Sequence, residues 1–211
     1  MQNYSPLRFL VADARNLIAQ EAVLKGYEWL IFIDHDVIPP ADLLIKFNQY
    51  MIHKKDEVAI VGGLYFTKSA PAEPLIYRRP GDGYFPNWKM GEKIWVYAMG
   101  LGLHLVNVKL LKILYENSPT YRIQNGAEVR RIFESPSKVE IDPSGSINKL
   151  VGTEDFPFYK RIIDEKVLEK AGYPKLQKQK WPFLCDTTIF AYHISESGVR
   201  YPSLGEEKAF K

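Results

Sequence analysis

By type and spacing, the residues best suited to chemistry are Asp34 and Asp36, which flank His35 and follow the apolar run Trp29-Leu30-Ile31-Phe32-Ile33. That run, short and rich in β-branched and aromatic side chains, predicts a strand buried on both faces of a mostly parallel sheet. Open α/β sheets bind ligands beyond the carboxyl ends of their strands, which is where the two acids fall. Carboxylates at i and i+2 of an extended chain project to the same side. Left alone they repel, and one tends to keep its proton. A divalent cation between them, or between one of them and a bound diphosphate, removes that conflict and suits hard oxygen donors. Asp also suits turns and caps, and an arbitrary D-x-D more often serves those roles; the wholly apolar strand in front of this one reverses the balance.

Two later stretches could join the pair. Glu154 and Asp155 open a regular amphipathic segment in which Ile162, Ile163, Val167 and Leu168 supply the buried side, Thr153 reads as the N-cap and Gly172 as the stop. Acids in a first turn are favoured by the helix dipole by about 0.3–1 kcal/mol, which is the plainer account of them. A carboxylate in a partly desolvated site can also take a proton from an attacking hydroxyl. His193 follows the strand-like run Thr187–Tyr192, at the end of a strand, where a lone imidazole is more often structural than a ligand. Asp186 stands as a candidate supporting group behind it.

The positioning elements read as alternating strands and helices. Asp13 precedes a helix over 14–25 that carries Arg15 and Asn16 in its first turn and ends at Gly26. A second helix covers 41–53, and a buried strand over 58–61 ends in Gly62-Gly63, a pair that permits close backbone approach. Lys68 beyond it reads as a solvated side chain that could meet a phosphate. The loop 80–92 carries Tyr84, Phe85 and Trp88, rings that could stack on a sugar or pack the loop down. Strands over 94–99 and 103–106 flank Gly100-Leu101-Gly102, and His104 reads as an ordinary sheet residue. The stretch 136–148, dense in Pro, Ser, Gly and Asp, predicts a mobile loop.

In this order, Arg15-Asn16, Asp34-His35-Asp36, the Gly-broken strand pair, Gly152-Thr153-Glu154-Asp155-Phe156-Pro157-Phe158-Tyr159-Lys160-Arg161 and His193 resemble the GT-A glycosyltransferases, in particular the family-2-like group. The resemblance runs from Asp13 to His193. It implies a GT-A-like (Rossmann-like) α/β domain, with a mixed, mostly parallel sheet flanked by helices. It implies a nucleotide-sugar donor held by Arg15, Asn16, Asp34 and Asp36, and a Mn²⁺ or Mg²⁺ ion held by Asp34, Asp36 and His193. Asp155 is then the catalytic base, Glu154 positions acceptor hydroxyls, and Tyr84 and Trp88 contact a glycan, lipid or protein acceptor. The implied transfer inverts the anomeric centre, and all three segments should meet at one rim of the sheet. The family's leading β-α-β segment has no counterpart in the short lead before Asp34, so the domain reads as N-terminally shortened.

Composition sets the outer bounds. With 211 residues, 46% hydrophobic and 25% charged, the chain reads as a single globular domain over 1–211, with a loosely held tail over 194–211. A net charge of +3 with scattered Lys and Arg argues against nucleic acid. The single Cys excludes an internal disulfide and suits a reducing, cytoplasmic setting; peripheral contact with the inner face of a membrane stays open. Two rival readings keep the architecture and change the role: a sugar nucleotidyltransferase, and a non-catalytic domain binding nucleotide-sugars or glycans.

Overall fold

The structure is a computed structural model that describes residues 4–6, 8–141, 147–151, 153–203, 205 and 206. The chain divides into two compact units, one formed by Met1–Glu28 with Val108–Val167 and the other by Trp29–Asn107 with Leu168–Lys211. The protein is mixed α/β.

The second unit is built on a five-stranded sheet. Its order is Trp29–Ile33, Leu103–Asn107, Ile60–Leu64, Phe183–Phe190, Lys93–Val96. Only Ile60–Leu64 and Phe183–Phe190 run parallel; the other three pairings are antiparallel. The sheet is therefore mixed and mostly antiparallel, which corrects the expected mostly parallel arrangement. The reason lies in the connections. Parallel neighbours need a long crossover, and here only Ile60–Leu64 and Phe183–Phe190 are joined that way, while the other neighbours, also distant in sequence, enter the sheet from the opposite end. Trp29–Ile33 is likewise an edge strand and not a doubly covered one: only Phe32 is fully buried, and Ile33 is exposed. Complete burial belongs instead to Ile60–Leu64 and Leu103–Asn107.

Helix Leu43–His53 covers one face of this sheet. Leu43, Phe47 and Tyr50 pack with Val61, Leu103, Leu105, Leu184 and Ile189 in one apolar cluster. The alternation along Leu103–Asn107 comes from the pleat: Leu103 and Leu105 join that cluster, while His104 stacks on Phe32 at 4.9 Å. Behind the cluster, Asp186 is buried but satisfied. Tyr50 donates to its Oδ2 at 2.6 Å, and the Thr188 amide and hydroxyl donate to its Oδ1 at 2.9 and 2.6 Å. Cys185 beside it is fully buried, and burial pushes its thiol well above the ordinary value.

An irregularity in this sheet redirects its longest strand. The parallel pairing runs in step from Leu184↔Val61 to Asp186↔Gly63, then shifts so that Phe190 meets Leu64. The residues between bulge outward, and the Ile189 carbonyl crosses close over Gly63. A Cβ there would lie 2.6 Å from that oxygen and 2.6 Å from Leu103 Cδ2. The Gly62-Gly63 pair thus serves close backbone approach, as its sequence suggests. Past the bulge, Tyr192–Ile194 leaves the main sheet and pairs antiparallel with Val37–Ile38 on one side and Arg200–Tyr201 on the other. The expected loose tail therefore begins as a hairpin, closed by the Ser195 amide donating to the Val199 carbonyl at 2.8 Å.

In the first unit, helix Val11–Leu24 packs against helix Val108–Asn117. A short hairpin pairs Thr120–Arg122 with Glu128–Arg130. The expected mobile loop contains a second hairpin, Ser137–Ile141 with Ile147–Val151; residues 142–146 lie outside the described ones. The segment after Glu154 is two helices and not one. Asp155–Asp164 ends where Lys166 takes a left-handed φ of 54°, and Val167–Lys170 comes next. Thr153 does not cap it, because Glu154 holds the N-cap position without a side-chain bond; Gly152 lies outside the described residues.

The Gly63 contact yields a test. Gly63→Ala forces a methyl group into a backbone carbonyl that cannot swing aside, and should cost about 1–3 kcal/mol, read as a lower urea midpoint with an unchanged slope.

Candidate functional site

The acidic pair closes a turn. The Val37 amide donates to the Asp34 carbonyl at 3.1 Å, so Asp34 to Val37 reverses direction instead of staying extended. This corrects the expectation that the two carboxylates project from one side of a strand end. Asp34 points back to the main sheet: its amide donates to the Gly102 carbonyl at 2.8 Å, and its Oδ2 lies 2.9 Å from where a Gly102 Cβ would stand. The Tyr65 ring fills the same space, with its hydroxyl accepting from the Gly102 amide at 2.8 Å. Gly102 is required here because any side chain would strike both Tyr65 and Asp34.

Asp36 lies beside His193. The short antiparallel pairing sets His193 opposite Val37, and the Ile194 amide donates to the Asp36 carbonyl at 2.7 Å. His193 Nδ1 lies 2.8 Å from the Phe66 carbonyl, and its Nε2 lies 3.3 Å from Asp36 Oδ2. A carbonyl can only accept, so Nδ1 carries a hydrogen; Nε2 then meets Asp36 as a charged donor when the ring is protonated and as a lone pair when it is neutral. The edge of the ring meets Tyr65, 5.4 Å between centroids. The Phe66 carbonyl therefore holds the supporting position expected of Asp186, whose oxygens are bonded to Tyr50 and Thr188.

Lys68 completes the group. Its ammonium donates to the same Asp36 Oδ2 at 2.5 Å. Burial tends to raise the Asp36 carboxyl, but the Lys68 bond and the nearby His193 outweigh it, and the acid is held below its ordinary value. Sequence treats Lys68 as a solvated cation, and only the fold of Phe66–Pro74 reveals its partner. Sequence reasoning also misses Tyr65 and Gly102, although the paired glycines at 100 and 102 are the mark of a backbone that another group approaches closely.

A carboxylate oxygen and an imidazole lone pair turned towards each other fit a divalent cation held by two protein ligands, with other positions left to substrate and water. They do not fit a three-residue cage. Asp34 is turned to Gly102, and among the described residues no group of three His, Cys, Asp or Glu could hold a metal. The expected ligand set therefore contracts to Asp36 and His193.

Of the acceptor-loop rings, Trp88 is 7% exposed and packs inward, which removes it as a stacking face; Tyr84 is 36% exposed. Close by, the Arg78 guanidinium lies between the Phe85 and Trp181 rings, at 3.8 and 4.0 Å.

The remaining predicted residues belong to the first unit. Asn16 is fully buried and spends all its hydrogen-bonding capacity on the chain. Its amide donates to the Phe133 carbonyl and the Tyr121 hydroxyl, both at 2.9 Å, and its oxygen accepts from the Ile132 and Phe133 amides at 3.0 and 2.8 Å. Arg15, 3% exposed, donates Nε to Glu154 Oε1 at 2.7 Å. These residues lock helix Val11–Leu24 to its neighbours within the unit, which corrects the expectation that Arg15 and Asn16 meet a nucleotide. Glu154 is committed to Arg15 and not turned to an acceptor. Asp155, the next residue, is partly exposed at the helix start, where the dipole favours its charge. A groove of about 480 Å³ in this unit is lined by Arg131, Phe158 and Arg161 among others, and contains none of the predicted site residues. Its charges neutralise one another in the pairs Arg131–Glu134, Arg161–Glu165 and Lys160–Asp164.

Comparison with protein-family models and with curated proteins finds no match. Among solved structures the chain is similar to A197 from STIV, with 17% identity and a TM-score of 0.53 over 92% of this chain and 72% of that one. The likeness is one of fold. Among the described residues no helix is long and apolar enough to cross a membrane.

Two outcomes test this geometry. Glu154→Ala removes the carboxylate that accepts from the buried Arg15 Nε and should cost about 3–5 kcal/mol, whereas Arg15→Met with Glu154→Leu should recover most of that loss; urea unfolding of the three chains decides it. For Asp36, the folded value lies below the unfolded value of 3.8. Its stabilisation is therefore present above that value and lost as pH falls through the lower folded one. Asp36→Asn should lose less stability than the parent chain between about pH 5 and 3, measured by unfolding midpoints across that range.

Proposed function

We propose that this chain is a metal-dependent glycosyltransferase of GT-A type that moves a sugar from a nucleoside diphosphate sugar to an acceptor hydroxyl with inversion. The observation that carries the reading is the Asp36–His193 pair, in which Phe66 fixes the imidazole so that Nε2 meets the carboxylate. Mn²⁺ or Mg²⁺ between Asp36 and His193 would offset negative charge on the departing diphosphate.

The protein's own part is to hold and to deprotonate. The Phe66 carbonyl keeps the His193 ring from rotating, and Tyr65 packs against its edge. By the resemblance in sequence, Asp155 is the candidate base, which would take the acceptor hydroxyl proton as that oxygen bonds to the anomeric carbon and the bond to the diphosphate oxygen breaks. Its neighbour Glu154, tied to Arg15, holds the start of the helix that carries Asp155. Tyr84 remains the ring available to an acceptor sugar.

Calorimetric titration with UDP, GDP and CDP, with and without Mn²⁺, should find one diphosphate that binds only with the metal, and His193→Ala should abolish that dependence. With the matching donor, Asp155→Asn should cut turnover by about 10²–10⁴-fold while donor binding holds. Metal-dependent binding without turnover in the parent chain would favour a binding domain, and no binding of any diphosphate would sink the proposal.

A further inference from the structure

Two groups converge on a single oxygen, Asp36 Oδ2: the Lys68 ammonium, charged and at 2.5 Å, and His193 Nε2 at 3.3 Å. The charge that balances this acid is thus supplied by the chain itself. We infer that Lys68 is a tethered counter-ion for Asp36 that a divalent cation displaces, and that the released ammonium then takes hold of the diphosphate oxygens arriving with the metal. The inference rests on the reading of Asp36 and His193 as metal ligands.

Two features make the exchange mechanically simple. First, the backbone around Lys68 is knitted in place. The Thr67 amide donates to the Glu73 carbonyl at 2.8 Å, the Glu73 amide donates to Thr67 Oγ1 at 2.9 Å, and Ser69 Oγ donates to the Pro71 carbonyl at 2.8 Å. The ammonium can therefore leave Asp36 by rotating its own four-carbon stem, without moving Phe66, whose carbonyl holds His193. Second, the ion pair is reached by solvent, with the Lys68 side chain 32% and the Asp36 side chain 23% exposed. Pairs of that kind contribute little and are readily given up, unlike the buried Arg15–Glu154 pair. A cation bound between Asp36 and His193 would compete with the ammonium for Oδ2 and repel it, leaving Lys68 to seek another anion, which an arriving diphosphate supplies.

The experiment uses the full chain at fixed pH and ionic strength, with Mn²⁺ binding followed by electron paramagnetic resonance and pyrophosphate binding by calorimetry at saturating Mn²⁺. Lys68→Met should bind Mn²⁺ about fivefold more tightly and pyrophosphate about fivefold more weakly than the parent, with an unchanged melting temperature. Lys68→Arg, which keeps the charge, should restore pyrophosphate binding. Unchanged or weaker Mn²⁺ binding by Lys68→Met, with the parent still binding Mn²⁺ through His193, overturns the counter-ion role and leaves the metal reading standing. Pyrophosphate binding that does not respond to Lys68→Met overturns the second half of the inference. If neither parent nor variant binds Mn²⁺, the metal reading falls and the inference falls with it.

Discussion

The candidate site depends on a few backbone hydrogen bonds between Tyr192–Ile194 and Asp36–Ile38. Without them His193 would stay in line with the main sheet. With them, the strand that carries it leaves Phe183–Phe190 at the bulge, pairs with the segment after the acidic turn, and sets the imidazole beside Asp36. The bulge in turn needs Gly63, whose missing side chain lets the Ile189 carbonyl pass. A position in the middle of the core thus determines the placement of a ring at its edge, through main-chain geometry alone.

The two units use charge in opposite ways. In one, Arg15 and Glu154 are desolvated together, and their attraction must offset the cost of removing both from water; such pairs specify an arrangement more than they stabilise it. Asn16 adds four hydrogen bonds to the same region, so the start of helix Val11–Leu24 has one arrangement and little freedom to change. In the other, Asp36 sits in reach of water with two partners at one oxygen, an arrangement that costs little to rearrange. Rigidity is concentrated where the sequence resembles a nucleotide contact, and adaptability where it resembles a metal site.

Features are legible in the sequence in proportion to how local their causes are. The apolar runs and Gly26 after the first helix depend on neighbours along the chain and are readable; the glycines at 62 and 63 announce a close approach, but what approaches, Met99 and the Ile189 carbonyl, comes from far along the chain. Strand direction is not, because Trp29–Ile33 looks the same whether its neighbour runs with it or against it, and only the pairing with Leu103–Asn107 decides. Arg15 and Asn16 mislead for a related reason: polar residues in a first turn read as surface or ligand contacts, and their partners lie more than a hundred residues away. Asp36 and His193 are legible as candidates through their order in the chain, although Asp36 lies in a turn and His193 in the middle of a short strand. Lys68 is not, since nothing about a lysine after a strand announces a carboxylate 32 residues earlier.

The single sulfhydryl of this chain has a practical consequence. Cys185 lies within the strand Phe183–Phe190, buried, with its thiol held protonated by burial and by the neighbouring Asp186, so it offers almost no thiolate to an electrophile. The native protein is therefore a silent background for maleimide chemistry. A cysteine introduced at any exposed turn would carry the label alone, with no need to remove the original one from the core.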